Sequence, residues 1–139
     1  SPAGIERGFF NAINNAKEAI IVSTLNISSL RDADKVIGIL NSNAIKDVKL
    51  IINKVDPCLI EDKVSLDIED ALEVLAVPLL GIVYEDKELL ASSNHGNCVI
   101  DNKKSNSAEC FVNIAKRING EEVNRAKFKK KSIWARLFG

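Results

Sequence analysis

Ala19-Ile20-Ile21-Val22-Ser23-Thr24 is a short, nearly continuous apolar run rich in β-branched side chains, and it decides the fold class. Such runs are typical of strands that are buried on both faces of a parallel sheet. Similar runs follow at residues 48–53 and 79–84. Each run begins about thirty residues after the previous one, which is the length of a strand, a crossover helix and the next parallel strand.

The segments around these runs have apolar side chains at helical spacing. We predict helices at residues 8–17, 29–40, 67–75 and 107–118. Asp67 is the expected N-cap of the third helix. In the last helix we expect these side chains to pack on the sheet: Phe111, Ile114, Ala115 and Ile118. The predicted fold is therefore α/β, with a parallel sheet and right-handed crossovers.

The composition argues against a strongly charged protein, a disulfide-rich or zinc-binding domain, and a chain that spans a membrane. Lys plus Arg and Asp plus Glu each number 19, so attraction to a charged partner must come from local clusters of charge. The three cysteines are far apart and lack Cys-x-x-Cys spacing, which indicates neither a disulfide framework nor a zinc site and favours a reducing compartment. No apolar run approaches the length of a membrane-spanning helix, and the start does not resemble a signal peptide.

Polar residues follow each predicted strand. In parallel α/β sheets, ligands bind beyond the carboxyl ends of the strands. The residues at these ends are Ser23, Thr24, Asn53, Lys54, Asp56, Glu85 and Asp86. The alternative interpretation is that the strand ends simply meet solvent and turn. The sequence has no glycine-rich phosphate loop and no credible pair of nucleophile and base. Its only histidine, His95, lies in a loop, Ser93-Asn94-His95-Gly96, that is more typical of a turn than of a catalytic triad.

The last thirteen residues, 127–139, are called the C-terminal tail below. A helix here would place its large apolar side chains within an arc of roughly 140°. The residues predicted to contact a membrane are Lys129, Lys130, Lys131, Ile133, Trp134, Leu137 and Phe138. A helix docked on the protein's own core is the alternative. The polar stretch at 119–126 is expected to be a linker, which gives three parts: a domain at 1–118, the linker, and the tail.

Three strands alone would leave a long apolar sheet edge unpaired, which native domains usually cover. The sequence also opens on Ser1-Pro2 and has no methionine. We therefore expect the chain to be a fragment of a longer protein, with a split or degenerate gene product as the alternative.

Several stretches together carry a resemblance to a known family. They are Ser1-Pro2-Ala3-Gly4-Ile5-Glu6, Ser28-Ser29-Leu30-Arg31-Asp32-Ala33-Asp34, Ile51-Ile52-Asn53-Lys54, Ile68-Glu69-Asp70-Ala71-Leu72-Glu73-Val74-Leu75, Gly81-Ile82-Val83-Tyr84-Glu85-Asp86 and Ala91-Ser92-Ser93-Asn94-His95-Gly96, the last of which resembles a loop of the family, followed by the tail. These stretches resemble the ParA/MinD family of deviant P-loop ATPases, and in particular its branch that selects the cell-division site. The opening residues are similar to the family's switch II segment, Asp-Ser-Pro-Ala-Gly-Ile-Glu. The fold class is accordingly predicted as α/β, an incomplete doubly wound parallel sheet that forms the C-terminal half of a deviant Walker ATPase fold, with a C-terminal amphipathic helix.

The resemblance implies a nucleotide site in the parent protein. ATP and Mg²⁺ would be its cofactors, and this chain alone would bind neither. Carried over by position, Gly4 would approach the γ-phosphate, Asn53 would contact the adenine edge, and Glu85 and Asp86 would lie on the loop around base and ribose. Because the Walker A lysines, switch I and the switch II Asp have no counterpart here, no catalytic residue and no metal ligand is assigned, and the chain alone is expected to be inactive.

The resemblance also implies partners. The parent would be a homodimer that binds an anionic membrane and MinE-like and MinC-like regulators, and not nucleic acid. The residues implied at the dimer and partner surfaces are Ile5, Glu6, Ser28, Arg31, Asp32 and Asp34. Without the resemblance, Ser28 or Ser29 followed by Asp32 is a capped, solvated helix start.

Taken together, these expectations describe the C-terminal half of a peripheral-membrane ATPase that selects the division site of a cell or plastid. It would lie in the cytoplasm on the inner face of the membrane, or in the plastid stroma at the inner envelope. The alternative function is a non-enzymatic module that binds the membrane and protein partners. The sequence departs from the family pattern at Leu25-Asn26, Tyr84 and Cys98, where the family usually has Pro-Glu, Pro and Pro.

Overall fold

A computed structural model describes residues 7–129 of the chain. Helices and strands alternate along the described chain, as the spacing of apolar runs predicts. In chain order the elements are α1 (Arg7–Ile13), β1 (Glu18–Ser23), α2 (Ile27–Ser42), β2 (Asp47–Val55), α3 (Pro57–Glu61), α4 (Ile68–Leu75), β3 (Leu79–Tyr84), α5 (Lys87–Asn94), a 3₁₀ turn (Val99–Asp101) and α6 (Ala108–Ile118). The helix predicted at 8–17 ends early, at Ile13.

The described strands form one parallel sheet of three strands in the order β1-β2-β3. Ile21 pairs with Leu50, and Ile52 pairs with Ile82. The predicted strands are confirmed, but β2 continues two residues beyond Asn53, to Val55. Its register with β3 shifts twice, between Leu50 and Ile51 and between Ile52 and Val55. The predicted fold class is confirmed for this part of the chain.

Helices cover both faces of the sheet. The α2 helix packs on β1 and against α4, while α6 packs on β3. Leu50 and Ile52 in the central strand are fully buried. Gly81 pairs with Ile51, whose side chain points to the opposite face from Leu50 and Ile52 because side chains alternate along a strand. A Cβ atom at Gly81 would lie 2.5 Å from Cγ1 of Ile114 in α6, so the absence of a side chain lets α6 approach this second face closely.

The second face is only partly covered. Ile20 and Val22 are 48% and 60% exposed, and both belong to β1, which has no further strand beside it among residues 7–129. The sequence predicts an incomplete sheet, and in the structure the apolar side chains of Ile20 and Val22 are left in contact with solvent.

Two predicted helix details are corrected. The N-cap of α2 is Asn26, not Ser28 or Ser29, because the Asn26 side chain accepts a hydrogen bond from the Ser29 amide. In α6, Ala115 is exposed and Ile118 is 58% exposed, so neither packs on the sheet, whereas Ile114 and the polar Asn113 are buried. The Asp67 cap of α4 is confirmed.

Two helices were not predicted. The α3 helix has Asp56 as its N-cap and begins with Pro57, an arrangement that favours helix initiation. The α5 helix occupies part of the stretch expected to be a loop around Ala91–Gly96, and His95 is its C-cap residue. Within the described range, no helix is both long enough and apolar enough to cross a bilayer.

Residues 121–129, called the docked segment below, contain neither helix nor strand. The tail helix predicted from residue 127 therefore does not include 127–129, and the rest of that helix lies outside the described residues. The division into a domain at 1–118, a linker and a tail stays a prediction.

Candidate functional site

The carboxyl ends of the three strands lie along one edge of the sheet because the strands are parallel neighbours. This is the edge at which the sequence predicts a ligand. The polar side chains at the three ends differ in how many of their hydrogen-bonding groups the protein itself uses.

At the end of β1, polar side chains connect the strand to α2. The buried hydroxyl of Ser23 lies 3.0 Å from the Ser29 hydroxyl, and the Ser29 oxygen also accepts the Thr24 amide at 3.0 Å. Asn26 accepts the Ser29 amide at 2.8 Å through Oδ1 and donates to the Thr24 hydroxyl at 2.6 Å through Nδ2. These groups are thus engaged within residues 23–29.

At the end of β2, Asn53 is available to a ligand. Its half-buried side chain makes no hydrogen bond with any other residue between 7 and 129 and is not among the buried polar groups left without a partner, so solvent reaches its amide. The next residue, Lys54, has φ +54°, a left-handed conformation that a lysine rarely adopts. Asp56 is engaged, because its Oδ1 accepts the Cys58 amide at 3.0 Å as the cap of α3.

At the end of β3, both carboxylate oxygens of Asp86 are engaged within the protein. Its Oδ1 accepts the Glu88 amide at 3.0 Å and thereby caps α5. Its Oδ2 accepts the Ser107 amide at 3.0 Å, the Ser107 hydroxyl at 2.8 Å, and the Ser105 hydroxyl. Three of the four hydrogen bonds are thus made by Oδ2, and Oδ1 makes one.

The electrostatics of Asp86 agree with this geometry. Burial raises the pKa of the Asp86 carboxyl, but the hydrogen bonds from Ser105, Ser107 and the Glu88 amide outweigh burial and hold the pKa below the usual value for Asp. Hydrogen bonds to the charged form favour ionisation. Asp86 is therefore an anion that fixes the 105–107 loop against β3 and α5.

Three of the residues predicted to contact a nucleotide lie at neighbouring strand ends: Asn53, Glu85 and Asp86. They differ in the hydrogen bonds that their side chains make within the described part of the protein. Val55 pairs with Tyr84, and the amide of the next residue, Glu85, donates to the Val55 carbonyl at 2.9 Å, so Glu85 and Asn53 lie on neighbouring strand ends. Glu85 is exposed. Asn53 and Glu85 fit a ligand that needs amide and carboxylate contacts, whereas both oxygens of Asp86 already accept hydrogen bonds from the protein. Gly4 lies outside the described residues. Among residues 7–129 no cluster of His, Cys, Asp and Glu could hold a metal ion.

The predicted partner surface is exposed at the start of α2. Ser28, Arg31, Asp32 and Asp34 all face solvent, while Leu30 and Ala33 between them are buried. None of the four forms an ion pair with another described residue. This arrangement suits a partner surface and equally suits a solvated helix start. Ile5 and Glu6 lie outside the described residues.

The docked segment is held by contacts that sequence reasoning missed. Arg117 donates to the Val123 carbonyl at 3.2 Å, Asn113 to the Asn124 carbonyl at 3.1 Å and the Tyr84 hydroxyl to the Ala126 carbonyl at 2.7 Å. The rings of Tyr84 and Phe128 meet edge to face at 5.2 Å. Asn106 makes two hydrogen bonds to the backbone of Lys129, at 2.8 and 3.1 Å.

Of the predicted membrane residues, only Lys129 is described, and it is exposed. The others, Lys130, Lys131, Ile133, Trp134, Leu137 and Phe138, lie outside the described residues. A signal for the missed contacts was present at Tyr84, where a proline is usual in the family that the sequence resembles, and at Ser105-Asn106-Ser107, three good capping residues before α6.

Comparison with curated proteins finds close sequence relatives. The chain is 44% identical over 124 residues to a septum site-determining protein MinD of Emiliania huxleyi, a match that covers 88% of this chain and 46% of the relative. It is 43% identical over 123 residues to the septum site-determining protein MinD of Synechocystis, with the same coverage of 88% and 46%. The chain thus spans about half the length of the curated relatives it matches. No family model matches it.

Comparison with solved structures finds MinD proteins of other organisms. The MinD cell division protein of Aquifex aeolicus superposes with a TM-score of 0.84 at 33% identity, over 91% of this chain and 54% of that one. The MinC:MinD complex of the same organism gives 0.84 at 31% identity, over 91% and 52%. The septum site-determining protein MinD of Pyrococcus horikoshii, complexed with Mg-ADP, gives 0.70 at 28% identity, over 85% and 47%.

Proposed function

The chain belongs to the MinD family of septum site-determining proteins, and on this premise we propose that it is part of a membrane-associated ATPase that selects a division site. The observation that carries the proposal is the identity of 43–44% to septum site-determining proteins along 88% of this chain. In this proposal ATP-dependent dimerisation of the whole protein drives its binding to the membrane.

The nucleotide contacts of this chain would come from the ends of β2 and β3. Asn53 offers a free amide, which can donate to and accept from an adenine edge, and Glu85 is a free carboxylate on the neighbouring strand end. Asp86 would hold the loop around base and ribose in place, because both of its carboxylate oxygens already accept hydrogen bonds from the protein. The bound magnesium nucleotide would supply the phosphoryl group that is cleaved, and Gly4 would face its γ-phosphate.

The membrane contact would come from the tail. Apolar side chains that enter the interface and lysines near anionic headgroups together give several kcal/mol, at about 1 kcal/mol per lysine, less the cost of ordering a short helix. One copy should therefore bind only weakly. Two copies on a dimer make the second contact intramolecular and can raise the overall affinity roughly a hundredfold or more.

The partner surface would be the exposed start of α2. One of the similar structures is a MinC:MinD complex, which supports a MinC-like partner for this chain. Ser28, Arg31, Asp32 and Asp34 would contact MinC-like or MinE-like regulators, and Ile5 and Glu6 would lie near the dimer surface.

Co-sedimentation with anionic vesicles tests the proposal. The chain would be measured alone and joined to the part of a MinD relative that it does not match, with and without ATP. We expect weak binding of the chain alone and stronger binding of the joined protein with ATP. Equal binding of the joined protein with and without ATP would contradict a nucleotide-gated dimer.

A tail variant isolates the membrane anchor. Replacing Trp134→Glu together with Phe138→Glu should abolish sedimentation, because the two carboxylates cannot enter the apolar interface. If this variant sediments like the wild type, the tail is not the anchor. The alternative function, a non-enzymatic module, predicts membrane and partner binding by the joined protein without any ATP hydrolysis.

A further inference from the structure

A rigid turn carries two lysines beside the docked segment. The Asn102 carbonyl accepts the Ser105 amide at 3.1 Å, and Asn102 Oδ1 accepts the Lys104 amide at 2.9 Å. Asn102 also donates to Glu88 at 2.9 Å. The far side of the turn is fixed at Ser105 by Asp86. Lys103 and Lys104 are therefore presented by a turn whose backbone is held in place.

The turn borders an open polar cavity of about 530 Å³. Lys103, Lys104, Asn97 and Asn102 bring ammonium and amide donors to its lining, and Asp101 brings the one carboxylate. Lys103 and Lys104 are exposed and form no ion pair with any residue in the described range. A cavity with these donors suits a phosphate group, since ammonium and amide groups are phosphate-binding groups.

This cavity lies close to the start of the tail. Asn106 holds the backbone of Lys129 through two hydrogen bonds, at 2.8 and 3.1 Å. Lys104 precedes Asn106 by two residues, so their Cα atoms are at most about 7.6 Å apart. The exposed Lys127 and Lys129 thus extend the positive charge of Lys103 and Lys104 toward the rest of the tail.

We propose that the turn at residues 102–104 and its cavity form a second membrane contact, in which Lys103 and Lys104 bind the phosphates of anionic lipid headgroups beside the tail. This inference rests on the proposed membrane function of the tail. A tail that enters the interface brings Lys129, and with it the turn, to the headgroup level. The fixed geometry means that the second contact forms without further ordering of the chain.

Vesicle binding by the whole 139-residue chain tests the inference. The test variant is Lys103→Gln with Lys104→Gln. The matched control is Lys17→Gln with Lys46→Gln, because these lysines are exposed and precede β1 and β2, at the opposite edge of the sheet. At about 1 kcal/mol per lysine near an anionic surface, the test variant should bind phosphatidylglycerol vesicles roughly 30-fold more weakly, and the control should change less than about twofold. Asp101→Asn should tighten binding by about fivefold.

The outcomes separate this inference from the proposed function. Unchanged binding of the Lys103 and Lys104 variant, with binding lost in the Trp134 and Phe138 variant, would overturn the second contact and leave the tail anchor standing. Loss in the Lys103 and Lys104 variant together with loss in the tail variant supports the second contact. Unchanged binding of the tail variant would overturn the tail anchor and, with it, a contact beside the tail. Failure of both the 139-residue chain and the joined protein with ATP to bind phosphatidylglycerol vesicles would overturn both the inference and the proposed function.

Free inorganic phosphate is the alternative ligand for this cavity, because it carries the same kind of phosphate oxygens as a lipid headgroup. Displacement of the protein from vesicles by millimolar inorganic phosphate at constant ionic strength would mark the cavity as a site for free phosphate and overturn the headgroup assignment. We expect no displacement, because a membrane presents many headgroups at once. Melting temperatures equal to that of the wild type would exclude misfolding as the cause of any loss.

Discussion

The carboxyl ends of β1 and β3 perform similar structural tasks over different distances along the chain. At β1, Ser23 and Thr24 contact Asn26 and Ser29, at most six residues away. At β3, Asp86 contacts residues 19 and 21 positions away, and Tyr84 contacts Ala126, 42 positions away. The polar side chains at the end of β1 therefore start one helix, although the backbone carbonyl of Leu25 also accepts the Leu66 amide at 3.3 Å. The side chains at the end of β3 join three separate segments. Loss of a contact should cost more at β3, where each contact holds a distant segment in place.

The largest effect should follow from removing the Asp86 carboxylate. Asp86→Ala removes four hydrogen bonds and leaves the buried hydroxyl of Ser107 without its acceptor. We expect a loss of about 3 kcal/mol in the free energy of unfolding, measured by urea denaturation. The matched control is Asn53→Ala at the end of β2, which should change stability by less than about 0.5 kcal/mol. Similar losses in both variants would remove the distinction between engaged and free strand ends.

The next effect concerns the hydroxyl of Tyr84. Tyr84→Phe keeps the ring against Phe128 but leaves the Ala126 carbonyl without its donor. We expect a loss of about 1.5 kcal/mol and faster amide hydrogen exchange in the docked segment. Exchange in α2 should not change. If the docked segment exchanges at the wild-type rate, the hydroxyl does not hold it.

A smaller effect is expected at the end of β1. Asn26→Ala removes the N-cap of α2 and the contact with Thr24, which should cost about 1 kcal/mol. Asn26→Ser should restore most of the loss, since serine is also a good N-cap. A cost above that of Asp86→Ala in the same urea experiment would reverse the comparison.

The smallest effect is a change in how stability depends on pH. The pKa of Asp86 is lower in the folded protein than the usual Asp value of about 3.9, so its contribution to stability is present above that value. The contribution is lost as pH falls through the folded pKa. Asp86→Asn should therefore flatten the acid side of the stability profile. An unchanged profile would mean that the carboxylate is not stabilised in its ionised form.

The separation along the chain between contacting residues also explains which features could be predicted from the sequence. Local patterns predicted the strands at 19–24, 48–53 and 79–84, their parallel arrangement and the Asp67 cap. They did not predict the order of the strands in the sheet. The engagement of Asp86 could not be predicted, because its partners Ser105 and Ser107 are separated from it by a helix and a turn. In the sequence, three polar residues follow strands in the same way: Asn53, Glu85 and Asp86. Only the structure shows that Asp86 accepts hydrogen bonds within the protein, whereas the side chains of Asn53 and Glu85 make none with residues 7–129.

Helix α6 shows the other limit of sequence patterns. Its apolar spacing predicted that Ile114, Ala115 and Ile118 all face the sheet. Ile114 does so, at the close approach to Gly81, whereas Ala115 and Ile118 are exposed. Asn113 is buried because its amide holds the Asn124 carbonyl. A segment that contains neither helix nor strand thus determines which side of α6 is covered, and its contacts leave no periodic signal in the sequence.

The contact between Tyr84 and Ala126 also has a consequence for the order in which the protein is completed on the ribosome. Synthesis proceeds from the N-terminus at about 5–20 residues per second, so β3 is synthesised several seconds before its partner carbonyl exists. Until then Tyr84, Asn113 and Arg117 lack the acceptors that Val123, Asn124 and Ala126 provide. We therefore expect this end of the nascent sheet to become ordered only after residues 123–126 are made.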